Sequence, residues 1–437
     1  ITRTSMSSTS EGNENQTSAG SNRIARYFGM SVPYNFSIAV PALVATGMLL
    51  LIIALEIAMT ASSKLTFGTP RGTFFVYLTL MAVAAILFAR KPKMSWVLIT
   101  VLFLELSLGF IPYFARQIGI PISRDLLPAN ENSRFEYHPL LQGVPIPNYS
   151  STLPGGGSLT HTSFGTRGPE PSAADLASKP IIAAYGGSTT YDIFVSDEEA
   201  WPNNLSNLLD DQAVFINRGV PGYNTVENLI QTTFYNQVNG RTPSCALYYE
   251  GWNDVQGAYL PNLDPAYADF HLLNQIDGLQ VRKGSGFSPL TSMISRLPVI
   301  GRETIPVPPS YANLEPGEGG DPRLEEILRR NVQSIIATNS ARGTKSVFIG
   351  QVLNSSDSTY DSMNGWAPLV KDEDVISMVE RLNVVMKEEA IKSGAAYIDV
   401  PNSGFSAADF VDNGHFSPAG SAKFANSIAA EVKQNCF

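Results

Sequence analysis

The 437 residues predict an α/β domain, with a parallel sheet covered by helices on both faces, carried behind a membrane anchor of three helices. Two patterns predict it. Three long apolar stretches crowd the first third of the chain, and from residue 180 onward short β-type runs alternate with helix-type segments. Composition removes other classes. A formal charge of -9 gives no electrostatic support to nucleic-acid binding. Only two cysteines occur, Cys245 and Cys436, which excludes a disulfide-rich scaffold and any cysteine-based zinc module. Cys245 opens an apolar strand and reads as a small buried hydrophobe; a bridge to Cys436 is not expected.

Residues 1–35 begin as a tail rich in Ser, Thr, Asn and Gly, with little to bury, and read as disordered. Residues 36–115 hold the spans. Phe36 to Met59 is interrupted only by Pro41 and Glu56, Gly72 to Ala89 carries no charge, and Met94 to Ala115 has only Glu105. Each is long enough to cross a hydrocarbon core. A carboxyl inside a span is costly and calls for a partner, so Glu56 and Glu105 are candidate contacts to another membrane protein. Arg23, Arg26 and the dense "RKPK" at 90–93 outweigh the thinner spread of Lys64, Arg71, Arg116 and Arg124. That bias assigns the tail and "RKPK" to the cytoplasm and everything after residue 116 to the opposite, extracytoplasmic side.

Residues 116–179 are loop-like and rich in Pro, Gly and Ser, as in "STLPGGGSLTHTSFGTRGPEPS", and read as a juxtamembrane collar. Residues 180–437 carry the α/β pattern. Strands are expected at "PIIAAY", "AVFINRG", "CALYYEG", "SVFIGQVL" and "AAYIDV". Helices are expected in "SDEEAWPNNLSNLL", which opens with the capping-box pair Ser196 and Glu199, and in "PRLEEILRRNVQSIIATNSARG" and "DEDVISMVERLNVVMKEEAIKSG". Nearly continuous apolar strands imply a sheet buried on both faces. Residues 256–322 form a long Pro/Gly-rich insertion, within which "FSPLTSMISRLPVIG" is amphipathic enough to lie over a site or on the membrane. The alternative is a surface excursion packed on the collar.

Each strand end carries chemistry. The first strand stops at Gly186-Gly187 and presents Ser188; the second ends in "NRGVPGYNT" with Gly219 and Gly222; the third ends in "EGWNDV" with Asn253; the last is followed by "VDNGHFSPAG" with Asp412 and His415. Parallel strands put these ends on one edge, where α/β proteins hold their ligands. Acyl transfer needs these residue types. A serine hydroxyl needs a base, which His415 supplies, and the imidazole needs an orienting carboxylate, which Asp412 supplies. The tetrahedral intermediate needs preorganised donors, for which the backbone N–H groups of Ser188 and Gly222 and the amide of Asn253 are candidates. His138, His161 and His271 lie in loop-like segments without comparable company.

In this order the motifs resemble the four blocks of the SGNH (GDSL-type) hydrolase superfamily, in "GGSTT", "NRGVPGYNT", "GWND" and "DNGH", with "HTSFGTRGPE" resembling membrane-attached bacterial members. The departure is Gly187, where the family's name-giving aspartate would stand. The resemblance implies a three-layer αβα, flavodoxin-like fold, a Ser188–His415–Asp412 triad, and no metal or organic cofactor. The substrate would be an O-acyl ester of a glycan or lipid, cleaved or transferred. Two other classes compete: a non-catalytic SGNH-fold subunit of a membrane assembly, and a phosphate-binding α/β protein. The second is disfavoured, because "GGSTT" lacks the lysine and spacing of a P-loop and the third glycine of a dinucleotide fingerprint.

Overall fold

The computed structural model describes residues 34–437 apart from 63, 118–126, 129–132, 137, 154–155, 262, 264–287, 296–313, 355–365 and 368. The chain divides into two compact units, one holding the apolar helices with residues 284–302 and the other taking in the rest of the chain from Ser133 onward.

In the first unit, α1 (Tyr34–Ala61), α2 (Pro70–Leu87) and α3 (Pro92–Gln117) carry three segments long and apolar enough to cross a membrane: Ile38–Ala61, Pro70–Arg90 and Pro92–Ala115. Helix α2 starts where Thr69 accepts from the Gly72 N–H and Pro70 needs no donor. Ile52, Met59, Phe74, Phe75, Leu78, Ala82, Leu102, Leu106 and Phe110 pack between the helices, while Leu43, Leu50, Leu80, Leu87, Val97 and Ile111 face outward, as apolar lipid-facing side chains do. Both span carboxylates find partners within the unit. Glu56 accepts from Thr79 Oγ1 at 3.0 Å. Glu105 is buried and accepts from Ser288 Oγ, from the Leu290 N–H at 2.9 Å and, more weakly, from Tyr77 Oη at 3.4 Å. Ser288 and the short helix Pro289–Ser295 come from the insertion, so this stretch clusters with the apolar helices. The rest of the insertion lies largely outside the described residues, as does His271.

The second unit is built on five parallel strands, β5 (Ile181–Gly186), β6 (Val214–Asn217), β7 (Cys245–Tyr249), β8 (Lys345–Ile349) and β9 (Ala396–Ile398), in the order β6-β5-β7-β8-β9. That is the flavodoxin-like order, with its switch point beside the first strand. Alternate side chains serve two cores. Ala183, Tyr185, Ala246, Tyr248 and Phe348 meet α8 (Pro322–Ser340) and α9 (Val375–Lys392); Ile182, Ala184, Cys245, Leu247 and Tyr249 meet α6 (Trp201–Leu208) and α10 (Pro418–Cys436). All five expected strands and both long expected helices are present, and the layers are αβα.

Three expectations need correction. The collar from Ser133 onward folds with the sheet unit. Its strands pair as two antiparallel ribbons, β1 (Phe135–Glu136) with β2 (Val144–Pro145) and β3 (Ser150–Thr152) with β4 (Ser158–Thr160). Asp197 fastens the second ribbon by accepting from the Thr160 N–H, from Thr160 Oγ1 and from Ser158 Oγ, and it pairs with buried Arg167. The Ser196–Glu199 pair does form, Glu199 accepting from the Ser196 N–H at 3.0 Å, but it closes a turn. Helix α6 begins only at Trp201, because Pro202 lacks an N–H and fits the first turn, while the Trp201 N–H goes to Asp192. Cys245 and Cys436 are joined by a disulfide that ties the central strand β7 to the last residue of α10.

Candidate active site

Gly186 of β5 stands in register with Tyr249 of β7, so the turns that follow leave the same sheet edge side by side. The two glycines of the first turn are required for different reasons. Gly186 has φ +153°, where a side chain is strained, and a β-carbon there would fall 2.2 Å from Thr190 Oγ1. Gly187, at φ -88° and ψ -147°, precedes α5 (Ser188–Tyr191), a single turn. Ser188 thus sits at the first position of a helix, buried except at its open side.

The loop from Val411 to His415 is closed by the Val411 N–H donating to the His415 carbonyl, and Asn354 ties it to the end of β8. Within it, Asp412 accepts from the Gly414 N–H at 3.0 Å and the His415 N–H at 2.9 Å. The His415 ring bridges the two loops: Nδ1 lies 2.7 Å from Asp412 Oδ2 and Nε2 lies 2.7 Å from Ser188 Oγ. Asp412 is acceptor-only, which puts the ring proton on Nδ1 and leaves Nε2 to accept from the serine hydroxyl. Burial alone would push the Asp412 carboxyl up, but the His415 ring and the two N–H groups outweigh it and hold it below its ordinary value.

Asn253 opens a 3₁₀ turn after β7, and its Nδ2 donates to the Tyr223 carbonyl at 2.8 Å. Gly222, at φ +89°, immediately precedes Tyr223, so the second and third blocks meet there. Asp254 holds the turn from behind. It accepts from Thr225 Oγ1 at 2.5 Å and from the Thr225 N–H, at the start of α7 (Thr225–Phe234), and Asn331 of α8 donates to the same Thr225 hydroxyl. Burial pushes the Asp254 carboxyl up to about 6 against those hydrogen bonds, and burial together with the Asp254 charge pushes Glu250 well above its usual range. Among the described residues, no group of three His, Cys, Asp or Glu side chains is placed to share a cation.

Of the residues expected at the strand ends, Ser188, His415 and Asp412 are hydrogen-bonded in a line, and Asn253 meets the turn that carries Gly222. Others escaped the sequence. Phe194 packs edge-on to the His415 ring at 5.2 Å and is half exposed, and the Trp252 ring lies against Gly414. His161 has company after all. Its Nδ1 donates to the Ile146 carbonyl at 3.0 Å, which leaves Nε2 to accept from Tyr191 Oη at 2.8 Å, three residues past Ser188. Arg167 lies over the same Tyr191 ring at 5.2 Å. Burial, with the Arg167 and Arg134 charges adding to it, lowers the His161 ring to about 4. No local signal marks these contacts, since the partners lie 15 and 30 residues from His161.

No family model matches the chain, and no curated protein matches it. Among solved structures, it is similar to a GDSL-like lipase from Bacteroides thetaiotaomicron (12% identity, 61% of this chain and 92% of that one, TM-score 0.33). It is also similar to a member of the lipolytic protein G-D-S-L family from Veillonella parvula (12% identity, 58% and 98%, TM-score 0.33). A third is an acetyl xylan esterase from Geobacillus stearothermophilus (12% identity, 58% and 94%, TM-score 0.34).

Proposed function

We propose that this chain is a membrane-anchored serine esterase or acyl-transfer enzyme acting on an O-acyl ester of a glycan or lipid. One observation carries it: a single imidazole hydrogen-bonded at 2.7 Å to both a serine hydroxyl and a carboxylate, at the carboxyl edge of a parallel sheet. Ser188 Oγ attacks the acyl carbonyl while its proton passes to His415 Nε2, and Asp412 stabilises the imidazolium through Nδ1–H. The negative oxygen of the tetrahedral intermediate is met by the backbone N–H groups of Ser188 and Gly222 and by the amide of Asn253. Collapse breaks the ester C–O bond, and His415 returns the proton to the departing alkoxide. Water or an acceptor hydroxyl then gives its proton to His415 as it attacks the acyl-enzyme, releasing acid or a new ester.

The site is proposed to face the extracytoplasmic side. Two features support that orientation: the basic "RKPK" between the second and third spans, and the Cys245–Cys436 disulfide, a bond that persists in oxidising compartments.

A membrane-impermeant fluorophosphonate tests both points in intact spheroplasts. Wild type should be labelled at Ser188, and Ser188→Ala should show neither labelling nor p-nitrophenyl acetate turnover. Undiminished turnover in Ser188→Ala sinks the triad; labelling only after permeabilisation moves the site to the cytoplasm.

A further inference from the structure

Gly187 departs from the aspartate of the family's first block, and its negative φ of -88° does not itself call for a glycine. The reason is space. A β-carbon built on Gly187 would lie 2.3 Å from Asn253 Nδ2, 3.1 Å from the Tyr223 carbonyl oxygen and 3.5 Å from Asn253 Cγ. The Asn253 amide therefore rests on the bare α-carbon of the residue next to Ser188. One of its two N–H groups is spent on the Tyr223 carbonyl at 2.8 Å, which leaves the other to act beside the nucleophile.

We propose that Gly187 is a positioning residue for the oxyanion donor: the missing side chain is what lets the Asn253 amide stand beside Ser188. Any β-carbon at 187 must displace something. The Tyr223 carbonyl is backbone, held by the turn that the Tyr223 N–H closes on Val220. The Asn253 amide is the end of a rotatable side chain, so it is the group that yields. Substitution here should spare the fold and remove a donor, which is the opposite of Gly186, where added bulk would strike the Tyr249 backbone carbonyl at 2.3 Å.

The inference rests on the proposed triad, and a double-mutant cycle separates the two. Turnover of p-nitrophenyl acetate is measured for wild type, Gly187→Ala, Asn253→Ala and the double variant in the full-length chain. Asn253→Ala should lower kcat by about 10² to 10³ with KM little changed, the usual effect of one lost oxyanion donor. Gly187→Ala should lower kcat by about 10², and the double variant should be no worse than Asn253→Ala within about threefold, because the alanine then has no amide to displace. Gly187→Ala within about twofold of wild type, or losses that multiply in the double variant, overturns the inference. If Gly187→Ala does not fold, the Asn253→Ala background decides: recovery of the fold there supports the clash, and failure in both backgrounds overturns it. A dead Ser188→Ala beside an undiminished Gly187→Ala refutes Gly187 alone, whereas an active Ser188→Ala refutes the triad itself.

Discussion

Asp412 and Glu105 are two carboxylates in two units of one chain, and each is fixed by its neighbours, but to different ends. Glu105 lies inside an apolar helix and takes a serine hydroxyl, a backbone N–H and a tyrosine hydroxyl, all within its unit. Every partner is a neutral donor, and the outcome is static: a stretch of the insertion is fastened to the third span. Asp412 is half open, takes two backbone N–H groups from its own loop, and spends its remaining oxygen on an imidazole. In the proposed reaction its partner gains and loses a charge during turnover, so its fixed position would serve chemistry as well as shape. The two uses of a fixed carboxylate are told apart by whether any partner can change its protonation.

Asp412→Asn should have the largest effect. An amide at that position presents a donor to Nδ1 and favours the wrong ring tautomer, so kcat should fall by about 10³ to 10⁴ with the melting temperature little changed. A loss below tenfold, measured with p-nitrophenyl acetate, would reduce Asp412 to a loop residue. Glu105→Ala should do the reverse. It strands the Leu290 N–H, at roughly 1 to 3 kcal/mol, leaves the Ser288 hydroxyl only Thr291 as a partner, and frees the Pro289–Ser295 helix. Proteolysis between residues 284 and 302 should become several-fold faster in detergent micelles. Unchanged cleavage would show that the helix is held by packing alone.

The smallest effect concerns the collar, where a buried base stands in for a buried acid. His161 titrates near 6.5 when unfolded and at about 4 when folded, so between those values the unfolded chain holds the extra proton. The stability it contributes is complete above about 6.5 and is lost as pH falls toward 4. His161→Gln should therefore lose its disadvantage to wild type on acidification. The gap in melting temperature should narrow by a few degrees between pH 7.5 and pH 5, on the order of 1 to 2 kcal/mol. A gap that stays constant would mean that folding does not shift the titration of the ring.

The strands, the long helices, the three apolar spans and the strand-end residues are legible in the amino-acid sequence. Those are written in local periodicity and in short blocks such as "DNGH", where Asp412 and His415 lie within one loop and fold together almost by necessity. Tertiary structure alone decided the Cys245–Cys436 bridge, the clasp of His161 on Tyr191, the turn that Ser196 and Glu199 close instead of a helix, and the reason residue 187 is glycine. Each depends on what another segment brings alongside, across 191 residues for the disulfide and 30 for the clasp. A hydrophobic period records which face of a segment is buried. It does not record which atom arrives there, and the bare α-carbon of Gly187 acquires its meaning only when the Asn253 amide, from the neighbouring strand's turn, comes to rest on it.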